Sequence, residues 1–184
     1  MEPARKKATY ADLEALPEGV IGEILFGVLH VLPRPRLRHA AASSRLGARL
    51  GSEFDEGSGG RGWLLLDEPE LHLSDDVLVP DIAGWRRVRL PELPDAAYLT
   101  LAPDWVCEVI SPSTSSVDRT DKRAIYRRER VGHLWFVDPT DRTLEVQQWS
   151  DRGYVTIGAW KDDAVVRAEP FETLELHLAA LWSG

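Results

Sequence analysis

The run Trp105-Val106-Cys107-Glu108-Val109-Ile110, followed by Ser111-Pro112-Ser113-Thr114, a charged helical stretch and then Gly132-His133-Leu134-Trp135-Phe136-Val137-Asp138-Pro139, decides how this chain is read. A short apolar run bounded by turn residues is a buried strand. Side chains along it alternate faces, so Val106, Glu108 and Ile110 share one side. Glu108 is the one charge in the run, and an acid in a buried strand is costly unless it is paired or metal-bound. Ser115 or Ser116 can cap a helix through Arg130, with Gly132 just past its end. Asp118, Lys122 and Tyr126, at i, i+4 and i+8, line one face of that helix. The brief 111–114 connection would keep Lys122 within reach of Glu108.

Upstream, residues 77–85 read as another strand, with Val79, Asp81 and Ala83 on one side and Pro80 and Ile82 on the other. Asp81 is then a second acid in an apolar strand. Two carboxylates about 4 Å apart repel by roughly 4 kcal/mol at an effective dielectric near 20, so such acids persist together only beside a cation or a lysine. Glu23, Pro80-Asp81, Glu108 and Lys122 make a set of hard oxygen donors with an ammonium beside it, the equipment that cutting a phosphodiester requires. Each has a plainer reading on its own: Glu23 as an exposed hairpin residue, Asp81 as a strand-end acid capping a turn, Asp118 and Lys122 as a surface pair.

The remaining elements follow from periodicity and punctuation. Thr9 caps a short helix to about Leu16, with Asp12 at its third position, and Pro17-Glu18-Gly19 ends it. Residues 20–32 form a hairpin turning at Phe26-Gly27, stopped by Pro33 and Pro35. Leu37, Ala40, Ala41, Leu46 and Leu50 place a long amphipathic helix over 37–54, before a Gly57-Ser58-Gly59-Gly60 loop. Further strands fall at 63–66, 70–73, 134–137, 144–149 and 154–160, with an irregular proline-bearing excursion over 86–103 and a C-terminal helix over 174–181. The whole is one α/β domain, 1–184, with a central mixed sheet flanked by helices and an N-terminal helix and β-hairpin.

Composition narrows the function. A single cysteine, Cys107, excludes an internal disulfide and cysteine-rich zinc motifs and points to the reducing cytoplasm. No uninterrupted apolar run approaches membrane-spanning length. The net charge of −8 argues against a protein that coats nucleic acid unselectively. Basic residues nevertheless gather in three places: within 117–130, at Arg34, Arg36, Arg38 and His39, and at Arg86, Arg87 and Arg89. His39 could touch phosphate there, although its context reads as surface; Trp85, beside the third cluster, could stack on a base, although the seven tryptophans read mainly as sheet and core residues. The histidines show no paired metal-ligand spacing, and Ser111 and Ser113 lack a histidine partner.

The order Pro80-Asp81, Glu108-Val109-Ile110-Ser111-Pro112-Ser113-Thr114, Asp118, Lys122, Tyr126 and Gly132-His133-Leu134-Trp135-Phe136-Val137-Asp138-Pro139 resembles the Uma-two restriction-endonuclease family of the PD-(D/E)xK nuclease superfamily. The likeness implies a restriction-endonuclease-like fold and metal-dependent phosphodiester hydrolysis. By the same resemblance Asp81 and Glu108 would hold Mg²⁺ or Mn²⁺, Glu23 would be a further acid near the metal, and Lys122 would orient the attacking water or offset charge on phosphorus. Two positions depart from the pattern: Ile110 stands where the superfamily's usual lysine would be, and Phe26 precedes Gly27 where family members tend to carry Asp or Asn. The expected substrate is DNA, with a homodimer favoured by cutting on both strands. The alternatives are a noncatalytic member of the same fold that binds nucleic acid or protein, and a phosphodiesterase for small nucleotides.

Overall fold

The computed structural model describes residues 7–32, 34–55 and 62–183; the Gly57–Gly60 loop, Pro33 and the charged residues 1–6 lie outside them. In chain order the elements are α1 (Tyr10–Glu14), β1 (Gly22–Leu25), β2 (Val28–Val31), α2 (Leu37–Leu50), β3 (Trp63–Asp67), β4 (Leu71–Leu73), β5 (Asp76–Leu78), β6 (Ile82–Arg86), β7 (Trp105–Val109), α3 (Ser115–Val117), α4 (Arg123–Arg128), β8 (His133–Asp138), β9 (Thr143–Gln148), β10 (Val155–Lys161), β11 (Val165–Val166), β12 (Leu176–His177) and α5 (Ala179–Trp182). Single π-helical turns extend α2 (Gly51–Asp55) and join α3 to α4 (Asp118–Lys122).

Among the described residues the large sheet runs β10-β9-β8-β7-β6-β3, with β7 and β8 parallel and its other neighbours antiparallel, the mixed sheet that the sequence pattern implies. A smaller antiparallel sheet runs β2-β1-β5-β4. One face of the large sheet is apolar through Trp63, Trp105, Cys107, Val109 and Trp135 and is covered by Ala42, Leu46 and Leu50 of α2 and by Leu176, Leu178 and Leu181 near the C-terminus. Phe171 sits at the hub of this core, 4.7–5.8 Å by ring centroid from Phe54, Trp63, Trp105 and Trp135. The opposite face, through Ala83, Trp85, Val106, Leu134 and Phe136, packs against Ile125 and Tyr126 of α4 and against the smaller sheet through Leu25, Leu71, Leu73 and Leu78. The alternation read along β7 therefore holds: Val106 and Ile110 face one core, Trp105, Cys107 and Val109 the other.

Three expectations need correction. The 77–85 strand is two strands in different sheets, broken at Val79-Pro80-Asp81, because proline cannot donate to a ladder and the chain crosses there from the smaller sheet to the larger. The C-terminal helix over 174–181 is shorter and later; Leu174-Glu175-Leu176-His177-Leu178 alternates with period two and places β12 against β11. Trp85 does not offer its face to a base: it is buried, its indole N–H donating to the Leu101 carbonyl at 2.9 Å.

Asp12 accepts from the Thr9 N–H at 2.7 Å, which fixes the start of α1. At the hairpin tip Leu25 pairs with Val28 across a two-residue loop in which both Phe26 (φ 51°) and Gly27 (φ 78°) are left-handed, the I′ geometry. Phenylalanine is strained there, whereas asparagine tolerates it. Asp76 Oδ1 accepts the Phe26 N–H at 2.5 Å, a backbone bond that asparagine retains, and Phe26 is more than half exposed. Phe26→Asn is expected to stabilise the fold by about 1 kcal/mol, read as a rise of about 2–4 °C in thermal midpoint by circular dichroism.

Candidate active site

The crossing between the two sheets places backbone and side chains from four elements around one ammonium. Lys122, in the π-helical turn between α3 and α4, points its Nζ at Glu108 of β7 (2.9 Å), at Glu23 Oε1 of β1 (3.0 Å) and at the Val79 carbonyl of the crossing segment (3.2 Å). An ammonium has three donors, and all three are used. Asp118, one turn back, lies 3.8 Å away. π-turns widen a helix by one residue and recur at functional sites; here the turn spans Asp118 and Lys122, the two residues of this helix whose charges face the cluster.

The carboxylates are held as firmly as the lysine. Glu108 Oε1 accepts the Tyr126 hydroxyl at 2.5 Å. Glu23 Oε1 accepts the Val79 N–H at 2.8 Å, tying the hairpin to the crossing segment. Asp81, at the end of that segment, accepts the Val109 N–H of β7 at 2.7 Å through Oδ2, and its Oδ1 lies 3.1 Å from His39 Nε2 on the first turn of α2. Glu23, Glu108 and Lys122 are each at most 3% exposed, whereas Asp81 and His39 stand at the rim with side chains 16% and 13% exposed.

Burial sets the electrostatics. It pushes the Glu108 carboxyl well above its ordinary value, with Lys122 offsetting part of the shift and Asp118, Asp81 and Glu23 adding to it. Asp118 is raised for the same leading reason, against the pull of Lys122. Burial works against the Lys122 ammonium, but Glu108, Glu23 and Asp118 together override it and hold it well above the usual lysine value. The Tyr126 hydroxyl is raised by burial and then by the charge and hydrogen bond of Glu108, so it stays a donor. For His39 the hydrogen bond and charge of Asp81 outweigh burial, leaving the imidazole more basic than usual.

Of the residues singled out from sequence, Glu23, Glu108 and Lys122 meet at hydrogen-bond distance, and Asp81 is bonded to the residue after Glu108. Glu23 is buried, not an exposed hairpin residue. Asp118 and Lys122 are a buried pair, not a surface one. His39, read as a surface histidine, instead contacts Asp81; its place after an arginine-rich approach to α2 was its only sequence signal. The Val79 backbone, which serves both Glu23 and Lys122, carries no sequence signal at all. Among the described residues no three His, Cys, Asp or Glu side chains converge as a group that could hold a metal ion; the Lys122 ammonium fills the point where Glu23 and Glu108 meet. The donor chemistry still suits a hard divalent cation, the carboxylates giving oxygen donors with acids in excess, and among the described residues Glu23 Oε2 is buried without a hydrogen-bond partner.

A family profile described as Uma2, putative restriction endonuclease, matches residues 8–180. Among solved structures, the crystal structure at 1.96 Å resolution of a putative nuclease belonging to DUF820 from Anabaena variabilis ATCC 29413 superposes with a TM-score of 0.78. It is 24% identical, and the match covers 95% of this chain and 97% of that one, a likeness of fold. No curated protein matches. Among the described residues no helix is long and apolar enough to cross a membrane.

Removing the ammonium leaves buried acids without a countercharge, an arrangement that costs about 3–5 kcal/mol. Lys122→Met is expected to lose that much stability at neutral pH in urea unfolding. Carboxyls whose folded pKa is raised lend their full stability below their ordinary values and lose it as pH rises through the raised ones. Glu108 and Asp118 are both raised, so the deficit of the variant should shrink as pH is lowered towards about 4. A deficit independent of pH would contradict this electrostatic account.

Proposed function

The chain belongs to the Uma2 family, and from that premise we propose that it is an endonuclease that hydrolyses phosphodiester bonds in DNA with the aid of Mg²⁺ or Mn²⁺. The observation that carries the reading is the excess of acid over base at the sheet crossing: Glu23, Glu108 and Asp118 gather around one ammonium, with Asp81 pinned beside them at the solvent-facing rim. Asp81 and Glu108 would hold the cation, with Glu23 as a further ligand; two carboxylates suffice for Mg²⁺, which takes its remaining oxygens from water and substrate phosphate. Once bound there, such a cation polarises a phosphoryl oxygen and lowers the pKa of water.

The protein's own groups do the rest. Lys122, its donors fixed by Glu23, Glu108 and Val79, would supply a positive charge close to where negative charge grows on phosphorus. Tyr126 holds the Glu108 carboxylate in one orientation. The Val109 N–H and His39 together fix the Asp81 rotamer, so the ligand at the rim is aimed before substrate arrives. This lysine comes from the helix and takes over from the position two residues after the acid, where Ile110 is buried in the core.

A noncatalytic binder of nucleic acid or protein is the second reading. It is favoured by both Glu108 oxygens being engaged within the protein and by the missing three-ligand cluster among the described residues.

Incubating the full chain with plasmid and with single-stranded DNA, in Mn²⁺, in Mg²⁺ and in chelator, separates the two. Cleavage is expected with either metal, none in chelator, and none above background for Asp81→Ala, while Lys122→Gln should lower kcat by about 10²–10³-fold. The cutting rate should also fall steeply with added salt, as phosphate contacts by a protein do; a flat response would point to a small-nucleotide substrate. Intact DNA under every metal condition would leave the binder.

A further inference from the structure

On the α2 side of the large sheet, the face opposite to the Glu108 side chain, lies a cavity of about 450 Å³ whose charge is opposite in sign to that of the acidic site. Arg38 and Arg45 of α2 and Arg142, at the turn between β8 and β9, line it together with Leu181 and Trp182 of α5, and none of its lining residues is acidic. In a chain of net charge −8, three guanidinium groups on one cavity without an acid among them form a local field of the opposite sign. Arg45 donates to the Leu181 carbonyl at 3.3 Å. Arg38 and Arg142 are exposed and, among the described residues, neither makes a hydrogen bond or ion pair through its side chain. Leu37 and Arg38 of the first turn of α2, whose start has no side-chain cap bond among the described residues, also line it, and the positive end of the helix dipole has the same sign.

Position ties this cavity to the site. Arg38 immediately precedes His39, whose ring touches Asp81. Val109, whose N–H holds Asp81, is in register with Val137 of β8, and Pro139, another lining residue, follows two residues later at the same end of the sheet. Charge and this shared end of the sheet together favour phosphates of the same strand as the one being cut.

We propose that the cavity lined by Arg38, Arg45 and Arg142 binds the phosphate backbone of the DNA strand flanking the scissile bond, holding the substrate in register with Asp81 and Glu108. This rests on the nuclease reading and extends it to the surface that grips the substrate. Contacts of this kind carry affinity and salt dependence without sequence information.

The test is fluorescence anisotropy of the full chain with a labelled duplex, in chelator so that nothing is cut, over a range of salt. Arg38→Gln with Arg142→Gln is expected to weaken binding about tenfold or more, alike for unrelated sequences, and to reduce the slope of log affinity against log salt by about 2, near 0.9 for each phosphate that is no longer neutralised. The lysine pair at the same positions should recover most of both. Arg130→Gln, from the arginine-bearing hollow at the other end of the sheet, should change neither. Because both substituted residues are exposed, an unchanged melting curve will show that the fold is intact. A wild-type chain that binds duplex with the double variant matching it in affinity and slope would overturn this inference alone. An equal loss with Arg130→Gln, or displacement of the duplex by polyglutamate at matched charge, would overturn it in favour of general charge or of an acidic protein segment. Wild-type protein that binds no nucleic acid at any salt would overturn the nuclease reading as well.

Discussion

A single buried ammonium organises this molecule. Lys122 is 3% exposed, and an unpaired charge at that depth would cost several kcal/mol, a large part of a fold's net stability. Its partners therefore have to come to it, and they arrive from β1, β7 and the crossing segment. The converse holds equally: Glu23 and Glu108, facing each other from two different sheets, would repel without the lysine between them. The pair of sheets and the helix are thus locked to one another by charge where their apolar faces end.

Architecture explains why this happens at one place. The smaller sheet and α4 pack on the same face of the large sheet, so a gap opens where the chain passes from β5 to β6. Backbone N–H and C=O groups at Val79 have no ladder partner in that gap, and the acid and the lysine satisfy them. Asp81, the last residue of the crossing, is anchored by the Val109 N–H. The opposite face of the sheet is filled by tryptophans around Phe171, and its contacts there are mainly apolar, with the Trp135 indole N–H donating to the Glu169 carbonyl. A stiff core on one side and a polar seam on the other give the site its rigid backing, which hydrogen-bonded side chains need if they are to act without rearranging.

Much of this was legible one residue at a time. Glu108 stood out because a lone acid in an apolar strand demands a partner, and that partner was in the following helix, as the short connection required. The face alternation of β7, the hairpin at Phe26-Gly27, the tryptophan core and the Thr9 helix start were likewise local properties, readable from period and punctuation. The errors were also local. Pro80 was the mark of a strand break, and Leu174-Glu175-Leu176-His177-Leu178 carried a strand period that proximity to Ala179-Ala180-Leu181 obscured.

By itself the sequence determined the mixed α/β order, the pairing of Glu108 with Lys122 and the need for cations near the acids, because each follows from burial or from spacing within one or two neighbouring elements. Only the tertiary structure decided that Glu23 is buried rather than exposed, that His39 of α2 meets Asp81, and that Arg38 and Arg142, more than a hundred residues apart, border one cavity. Those facts depend on how sheets stack and cross. No pattern of nearest neighbours encodes such an arrangement, since the groups concerned are brought together by packing of distant faces and not by any period along the chain.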